Sequence, residues 1–286
     1  MRVLVTGAMG FLGQHVVHAL DEKGHDVRWF DIRGEHENHA DITKPLPRFP
    51  GGIDAVIHLA AMAAPRECDA HPDRAMDVNV NGTHQVLKMA LESGAKKFVF
   101  SSSAHVYGIT PRYLPTPESH PLWLLNTYTL TKILGEQLCQ MYFDNHGLSY
   151  TTLRLYNAYG PGQSLGYFIP DMVAKAKAGK FHLSGSNTTK DFVYIEDVAS
   201  AFVAAVETPF VGYFNIGTGT ESTLGSVAAR IADVYGAEFS CDPENHYEVT
   251  RMQADVSRAK RILGWEPKVT IAEGLDALFA ADKIAA

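Results

Sequence analysis

Tyr128 and Lys132 stand four residues apart in the run Tyr128-Thr129-Leu130-Thr131-Lys132. On a helix that spacing puts both side chains on one face. An ammonium group beside a phenol favours the phenolate and lowers its pKa from about 10. A tyrosine tuned in this way can exchange a proton with a substrate hydroxyl. By itself the pair is weak, since tyrosine and lysine are common on half-exposed helices. It gains weight from Ser101-Ser102-Ser103, which closes the apolar strand Lys97-Phe98-Val99-Phe100 at the carboxyl edge, where parallel sheets bind ligands. Three serines there could also do no more than cap or turn the chain.

A second group lies at the amino end. Thr6-Gly7-Ala8-Met9-Gly10-Phe11-Leu12-Gly13 spaces Gly7, Gly10 and Gly13 by three, between an apolar strand and a helical pattern. Residues without Cβ let backbone N–H groups approach a pyrophosphate, the helix N-terminus adds its positive end, and the third glycine lets helix and strand pack closely. Asp31 follows the second strand, Val27 to Phe30. A carboxylate there accepts hydrogen bonds from the adenosine ribose hydroxyls and repels a 2′-phosphate, which favours NAD over NADP. Arg33 is near enough to accept a 2′-phosphate and blurs that choice. Asp41-Ile42 is a candidate adenine contact.

The elements that must position these groups alternate. Strands are expected at Val3–Val5, Val27–Phe30, Ala55–Leu59, Lys97–Phe100 and Tyr150–Leu155, and helices at Phe11–Glu22, Val78–Leu91 and Leu125–Phe143. Several strands are apolar throughout, as in a parallel sheet covered on both faces, so the expected class is α/β, a doubly wound parallel sheet of the Rossmann kind. Residues 1–160 would form the dinucleotide-binding domain. Residues 161–286 would form mainly a small C-terminal substrate-binding lobe, with parts of 190–220 completing the sheet. Between Asp31 and Ala55, Gly34, Pro45, Pro47, Pro50 and Gly51-Gly52 break any long helix, and an irregular crossover with a very short strand at Ala40-Asp41-Ile42 is expected.

The composition narrows the function classes. The chain has 286 residues, 46 % of them hydrophobic, so it can bury a large core and disorder is excluded. Lys plus Arg is 25 against 32 Asp plus Glu, a net charge of −7, which disfavours a general nucleic-acid role. No apolar run approaches the roughly 20 residues that span a bilayer. Cys68, Cys139 and Cys241 form neither a CxxC pair nor a metal spacing, which implies free thiols and a cytoplasmic location.

With TGAMGFLG at 6–13, HLAA at 58–61, NVNGT at 79–83, SSSAHVYG at 101–108, YTLTK at 128–132, LRLYNAYGPG at 153–162, KDFVYIEDVA at 190–199 and RILGWEPK at 261–268, the sequence resembles the extended short-chain dehydrogenase/reductase family, in its nucleotide-sugar epimerase/dehydratase branch. The resemblance runs over nearly the whole chain. It implies Ser103, Tyr128 and Lys132 as the catalytic set. It implies NAD contacts at Gly7, Gly10, Phe11, Leu12, Asp31, Asp41, Ile42, Leu59, Ala60, Ala61, Asn79, Ser101, Tyr128, Lys132 and Tyr156, with Lys132 on the nicotinamide ribose. Substrate contacts fall at Ser103, Ala104 and Asn157, the last on a diphosphate, and a homodimer through the helices at 78–91 and 125–143 is implied.

Departures from the family pattern shape the expected reaction. Ala104-His105 follows Ser103 where the dehydratases carry an acidic pair and the decarboxylases keep an acid nearby, so dehydration is disfavoured. Lys190 stands where the family has an arginine and cannot copy its two parallel N–H bonds. Arg251 is the only arginine offered before Ala254-Asp255-Val256-Ser257, and Asn245-His246-Tyr247-Glu248 lacks the earlier one. Lys190 and Arg251 are therefore the cations left to hold a diphosphate. The expected activity is epimerisation of a nucleotide sugar, at C4 of a UDP-sugar, through a transient ketone. The alternative is net oxidation or reduction of a sugar or polyol with NAD(P). No metal site is expected.

Overall fold

A computed structural model describes residues 1–49, 52–108, 111–244 and 250–285. In chain order the elements are β1 (Arg2–Thr6), α1 (Phe11–Glu22), β2 (Asp26–Phe30), β3 (Ala55–His58), α2 (Pro65–Ala70), α3 (Pro72–Met76), α4 (Thr83–Glu92), β4 (Lys97–Ser103), α5 (Thr127–His146), β5 (Ser149–Leu155), β6 (Asn157–Tyr159), α6 (Phe168–Lys177), β7 (Lys180–Ser184), β8 (Thr189–Lys190), β9 (Phe192–Tyr194), α7 (Ile195–Glu207), β10 (Gly212–Ile216), β11 (Ser222–Thr223), α8 (Leu224–Tyr235), β12 (Glu238–Asp242) and α9 (Ile271–Ala285).

Six parallel strands form one sheet in the order β10-β5-β4-β3-β1-β2. Strand order reverses between β1 and β3, so the turns after Thr6 and His58 open side by side at the carboxyl edge, the crevice where such sheets bind ligands. The strands there are apolar throughout because both faces are covered. On one face Val16 and Leu20 of α1 and Val198, Phe202 and Val206 of α7 pack on Val3, Val5, Val99 and Phe214. On the other, Val86, Leu87 and Ala90 of α4 and Cys139 and Tyr142 of α5 pack on Leu4, Val56, Phe98 and Tyr150. Phe202 and Phe98 are wholly buried, and truncating either to alanine would cost about 3–5 kcal/mol. A separate cluster, with Ile169 and Met172 of α6, Tyr194, Val227 and Ile231 of α8 and Phe279 of α9, forms the core of the C-terminal part.

One expectation is corrected. Ala40-Asp41-Ile42 is not a strand. Ala40 and Ile42 turn into the core, Asp41 Oδ1 accepts from the Thr43 N–H and hydroxyl, and only an isolated bridge, Asp31 to His39, marks the crossover. The helix expected at 78–91 is present as a wide-turned stretch, Asp77–Gly82, that runs into α4, with the short α2 and α3 ahead of it. The outer face of α4 is polar, with His84 and Lys88 exposed, rather than apolar on more than one stripe. Phe192–Tyr194 pairs with Asn157–Tyr159 outside the central sheet, which Gly212–Ile216 completes. The strands Lys180–Ser184 and Glu238–Asp242, which pair with each other, have no counterpart in the sequence reading.

Candidate active site

The turn between β1 and α1 is held by backbone contacts. Gly7 adopts φ +73°, donates its N–H to Phe30 O at 3.0 Å, and lies so close to the next loop that a Cβ would stand 2.6 Å from Ala60 N. A Cβ on Gly13 would meet Gly7 O at 2.2 Å. Gly10 caps α1 without a side chain, so the first-turn N–H groups and the positive end of the helix face outward. Phe11 and Leu12 begin that turn and are half-buried, with both packed partly against the C-terminal cluster.

Asp31 is buried at the end of β2. Its Oδ2 accepts from Met9 N at 3.0 Å and its Oδ1 from Arg33 N at 2.9 Å, with Arg33 Nε at 3.5 Å. A carboxylate offers about four acceptor sites, so it retains capacity for ribose hydroxyls. Leu59, Ala60 and Ala61 line the adjacent loop, where Leu59 N donates to Thr6 O. The combination of an uncapped helix end, a glycine cradle that a Cβ would fill and a carboxylate at the second strand's end fits a dinucleotide.

Two expected contacts are placed differently. The Ile42 side chain packs inward against Gly82, where a Cβ would stand 2.7 Å from its Cδ1, and its carbonyl accepts from Gln85. Asn79 is buried and fully engaged. Its Oδ1 accepts from Met62 N at 2.7 Å, and its Nδ2 donates to Met62 O and Thr131 Oγ1, both at 3.0 Å. It braces the loop after β3 against α5.

A histidine that sequence reasoning passed over lies beneath this loop. His58 is buried, with Nδ1 at 2.7 Å from Thr6 Oγ1 and Nε2 at 3.0 Å from Thr83 Oγ1. Thr83 donates its proton to Asn79 O, so Thr83 accepts from His58 Nε2–H, and Nδ1 accepts from Thr6. Burial, with the charge of Lys132, pushes His58 down to about 3 and keeps it neutral.

Tyr128 and Lys132 lie on the buried face of α5, which Asn126 starts by accepting from Thr129 N. Gly135 lets that helix close on β4, since a Cβ would stand 2.3 Å from Phe100 Cζ. Lys132 Nζ donates to Ser101 O at 2.8 Å and lies 5.7 Å from the Tyr128 ring centre. Ser103 is buried beside them, and its Oγ accepts from His105 N. The expected lowering of the tyrosine by the lysine is not what this geometry produces. Burial pushes the Tyr128 phenol above its ordinary value, and the hydrogen bond with Ser103 pulls it back. Burial also lowers Lys132 to about 8. Cys68 is fully buried next to Tyr128, in one cluster with Met62 and Ala75.

The substrate-side residues are more scattered. Asn157 Nδ2 donates to Asp191 O at 3.1 Å. Lys190 closes the short strand β8, and burial lowers it to about 8; its charge helps to lower His105 to about 4, behind burial itself. Arg251 stands close by, but its guanidinium forks onto Glu221, which also accepts from Thr189. Ala104 and Tyr156 are buried in a cluster with Val106, Tyr107 and Met252. Asn245-His246-Tyr247-Glu248 lies outside the described residues.

Glu136 and Arg154 form a buried ion pair behind the catalytic set. Glu136 continues the spacing of four from Tyr128 and Lys132, a signal the sequence held; Arg154 within an apolar strand was a second.

A model of the NAD dependent epimerase/dehydratase family matches residues 3–217. A putative UDP-glucose 4-epimerase of Methanocaldococcus jannaschii is 34 % identical, over 96 % of this chain and 95 % of its own. UDP-glucuronic acid decarboxylase 3 of Arabidopsis thaliana is 30 % identical, over 96 % of this chain and 87 % of its own. The crystal structure of the UDP-glucose 4-epimerase of Thermotoga maritima with UDP-glucose superposes with a TM-score of 0.91 at 30 % identity, covering 100 % of this chain and 99 % of that one.

Proposed function

The chain belongs to the NAD dependent epimerase/dehydratase family, and on that premise we propose that it is an NAD-dependent epimerase that inverts C4 of a UDP-sugar through a transient ketone. The observation that carries this is the meeting of Ser103, Tyr128 and Lys132 at the carboxyl edge beside the glycine turn, with no acid in the segment Ala104–Tyr107 that follows Ser103. The decarboxylase relatives share the fold, and the missing acid favours the epimerases among them.

Gly7, Gly10 and the first turn of α1 would hold the pyrophosphate of NAD, Asp31 the adenosine ribose, and Lys132 the nicotinamide ribose. When bound, the cofactor supplies reversible hydride transfer at the sugar carbon. Tyr128, as phenolate, accepts the proton of the sugar hydroxyl and later returns it. Ser103 orients that hydroxyl and, by its hydrogen bond, lowers the cost of the phenolate. Lys132 keeps a positive charge within reach of both. Lys190, Arg251 and Asn157 would hold the diphosphate, with Arg251 exchanging Glu221 for it, and residues 161–286 would serve mainly as the substrate-binding lobe.

We also propose a homodimer through α5, whose outward side carries the half-buried Leu130 and Leu134 and the exposed Met141. No helix among the described residues is long and apolar enough to cross a membrane. Three free cysteines support a reducing compartment such as the cytoplasm.

The test is nuclear magnetic resonance of UDP-glucose and UDP-galactose incubated with the enzyme. Interconversion without net NADH supports the reading. Unchanged sugars overturn it, and stoichiometric NADH would instead establish a dehydrogenase. Light scattering at the monomer mass would remove the dimer.

A further inference from the structure

Three consecutive serines at the end of β4 are held from α5. Lys132 Nζ donates to Ser101 O at 2.8 Å, Ser102 Oγ donates to Glu136 Oε1 at 2.6 Å, and Ser103 is buried beside Tyr128, where its hydroxyl favours the phenolate. Tyr128, Lys132 and Glu136 are successive turns of one helix face, and Lys132 and Glu136 each hold a different serine.

The middle contact is anchored by charge. Arg154, the partner of Ser102 in the sheet register, donates from Nε to Glu136 Oε1 at 2.9 Å and from Nη2 to Oε2 at 2.7 Å. Both residues are buried, and the guanidinium lies between the Tyr107 and Tyr213 rings, at 5.1 and 4.5 Å. Its remaining nitrogen, Nη1, donates to Tyr107 OH and to Glu118 O, both at 3.0 Å. Tyr107 OH donates to Asn215 Oδ1 at 2.6 Å, and Asn215 Nδ2 donates to Thr116 O and Asp255 O. A buried ion pair is a poor source of net stability, because desolvation offsets most of the attraction. What it does supply is fixed geometry, since the fork admits one orientation.

We propose that Glu136 and Arg154 are positioning residues for the reaction: by gripping Ser102 they fix the separation of Ser103 from Tyr128, and through Asn215 they tie it to the segments that carry Thr116 and Asp255. For its kinetic assay the inference rests on the epimerase reading.

The experiment compares wild type, Glu136→Gln and the double variant Glu136→Gln with Arg154→Met, which strands no buried charge. Melting, NAD content and kinetics with UDP-galactose are measured. Misplacement of a reacting group by about 1 Å costs roughly 100-fold, so kcat should fall about 10- to 100-fold with KM within about threefold. The double variant should regain the melting temperature but not kcat. Recovery of kcat to within about threefold of wild type would overturn the proposal and leave the pair a structural one.

A second readout needs no sugar. The Tyr128 phenol is titrated in the holoenzyme by ultraviolet difference against Tyr128→Phe. The phenol faces Ser103 from β4, Lys132 on its own helix, Cys68 from α2 and Tyr167 ahead of α6. None of these side chains is replaced in the double variant, so a Ser103 hydroxyl moved away from the phenol must raise the midpoint. An unmoved or lowered midpoint overturns the proposal. If wild type leaves UDP-galactose unchanged, the epimerase reading fails while this titration still decides the positioning claim.

Discussion

The two ends of the cleft are built differently. At the dinucleotide end most of the groups are backbone, the Gly7 turn, the uncapped start of α1 and the Leu59–Ala61 loop, anchored to strands of the central sheet with the Asp31 carboxylate beside them. At the substrate end they are long side chains on short ribbons. Lys190 is on the two-residue strand β8, and Arg251 is engaged with Glu221. A backbone site needs small residues at fixed spacing, and little can be exchanged in it. A side-chain site can be re-specified by single substitutions, since lysine and arginine at one position hold an anion with different geometry.

The catalytic set stands between the two ends and should show the largest effect. Tyr128→Phe should lower kcat by about 10³-fold or more, with NAD content unchanged, measured by turnover and by cofactor absorbance. Loss of the cofactor together with activity would show that the tyrosine belongs to the dinucleotide end instead.

Gly7→Val puts a β-branched side chain at φ +73° with its Cβ 2.6 Å from Ala60 N. NAD affinity should fall by about 100-fold or more, and stability by about 1–3 kcal/mol, read by titration calorimetry and melting. At the other end Lys190→Met should raise KM for the UDP-sugar about 10-fold while NAD affinity stays within about twofold, since one charged hydrogen bond contributes about 1.5–3 kcal/mol. If Lys190→Met weakens NAD as much as sugar, the two ends are not separable.

The smallest effect is thermodynamic. His58 titrates at about 3 in the folded chain against 6.5 for the ordinary side chain, so its folded value is depressed. Above pH 6.5 neither state binds the proton and stability is full. As pH falls from 6.5 toward 3 the unfolded chain binds it first, and stability drops by about 1.4 kcal/mol per pH unit. Denaturant titrations of wild type and His58→Gln over that range should differ in slope by about one proton. Equal slopes would show that His58 does not anchor the dinucleotide end as a neutral bridge.

Local pattern made part of this molecule legible. α1 begins and ends at Phe11 and Glu22, as its apolar spacing and the flanking glycines require. The apolar strands, the glycine turn, Asp31 after β2, and Tyr128 with Lys132 on one face also follow from spacing alone. The crossover after Asp31 is irregular as its prolines and glycines demand, but Asp41 capping its own turn removed the short strand. The strand Lys180–Ser184 alternates exposed and buried residues, but its partner is nearly sixty residues away, so no local window marks the pair.

By itself the sequence determined what depends on neighbours along the chain: helix faces, turn chemistry and the residue types at the chemical centre. Only the tertiary structure decided which polar groups meet. Asn79 braces Met62, Arg251 faces Glu221, and Glu136, anchored by Arg154, accepts directly from Ser102. The physical reason is that a side chain's partner across a sheet or between layers is set by strand register and helix approach, here Ser102 opposite Arg154 and Gly135 against Phe100. Neither is encoded in the spacing of residues along any one segment.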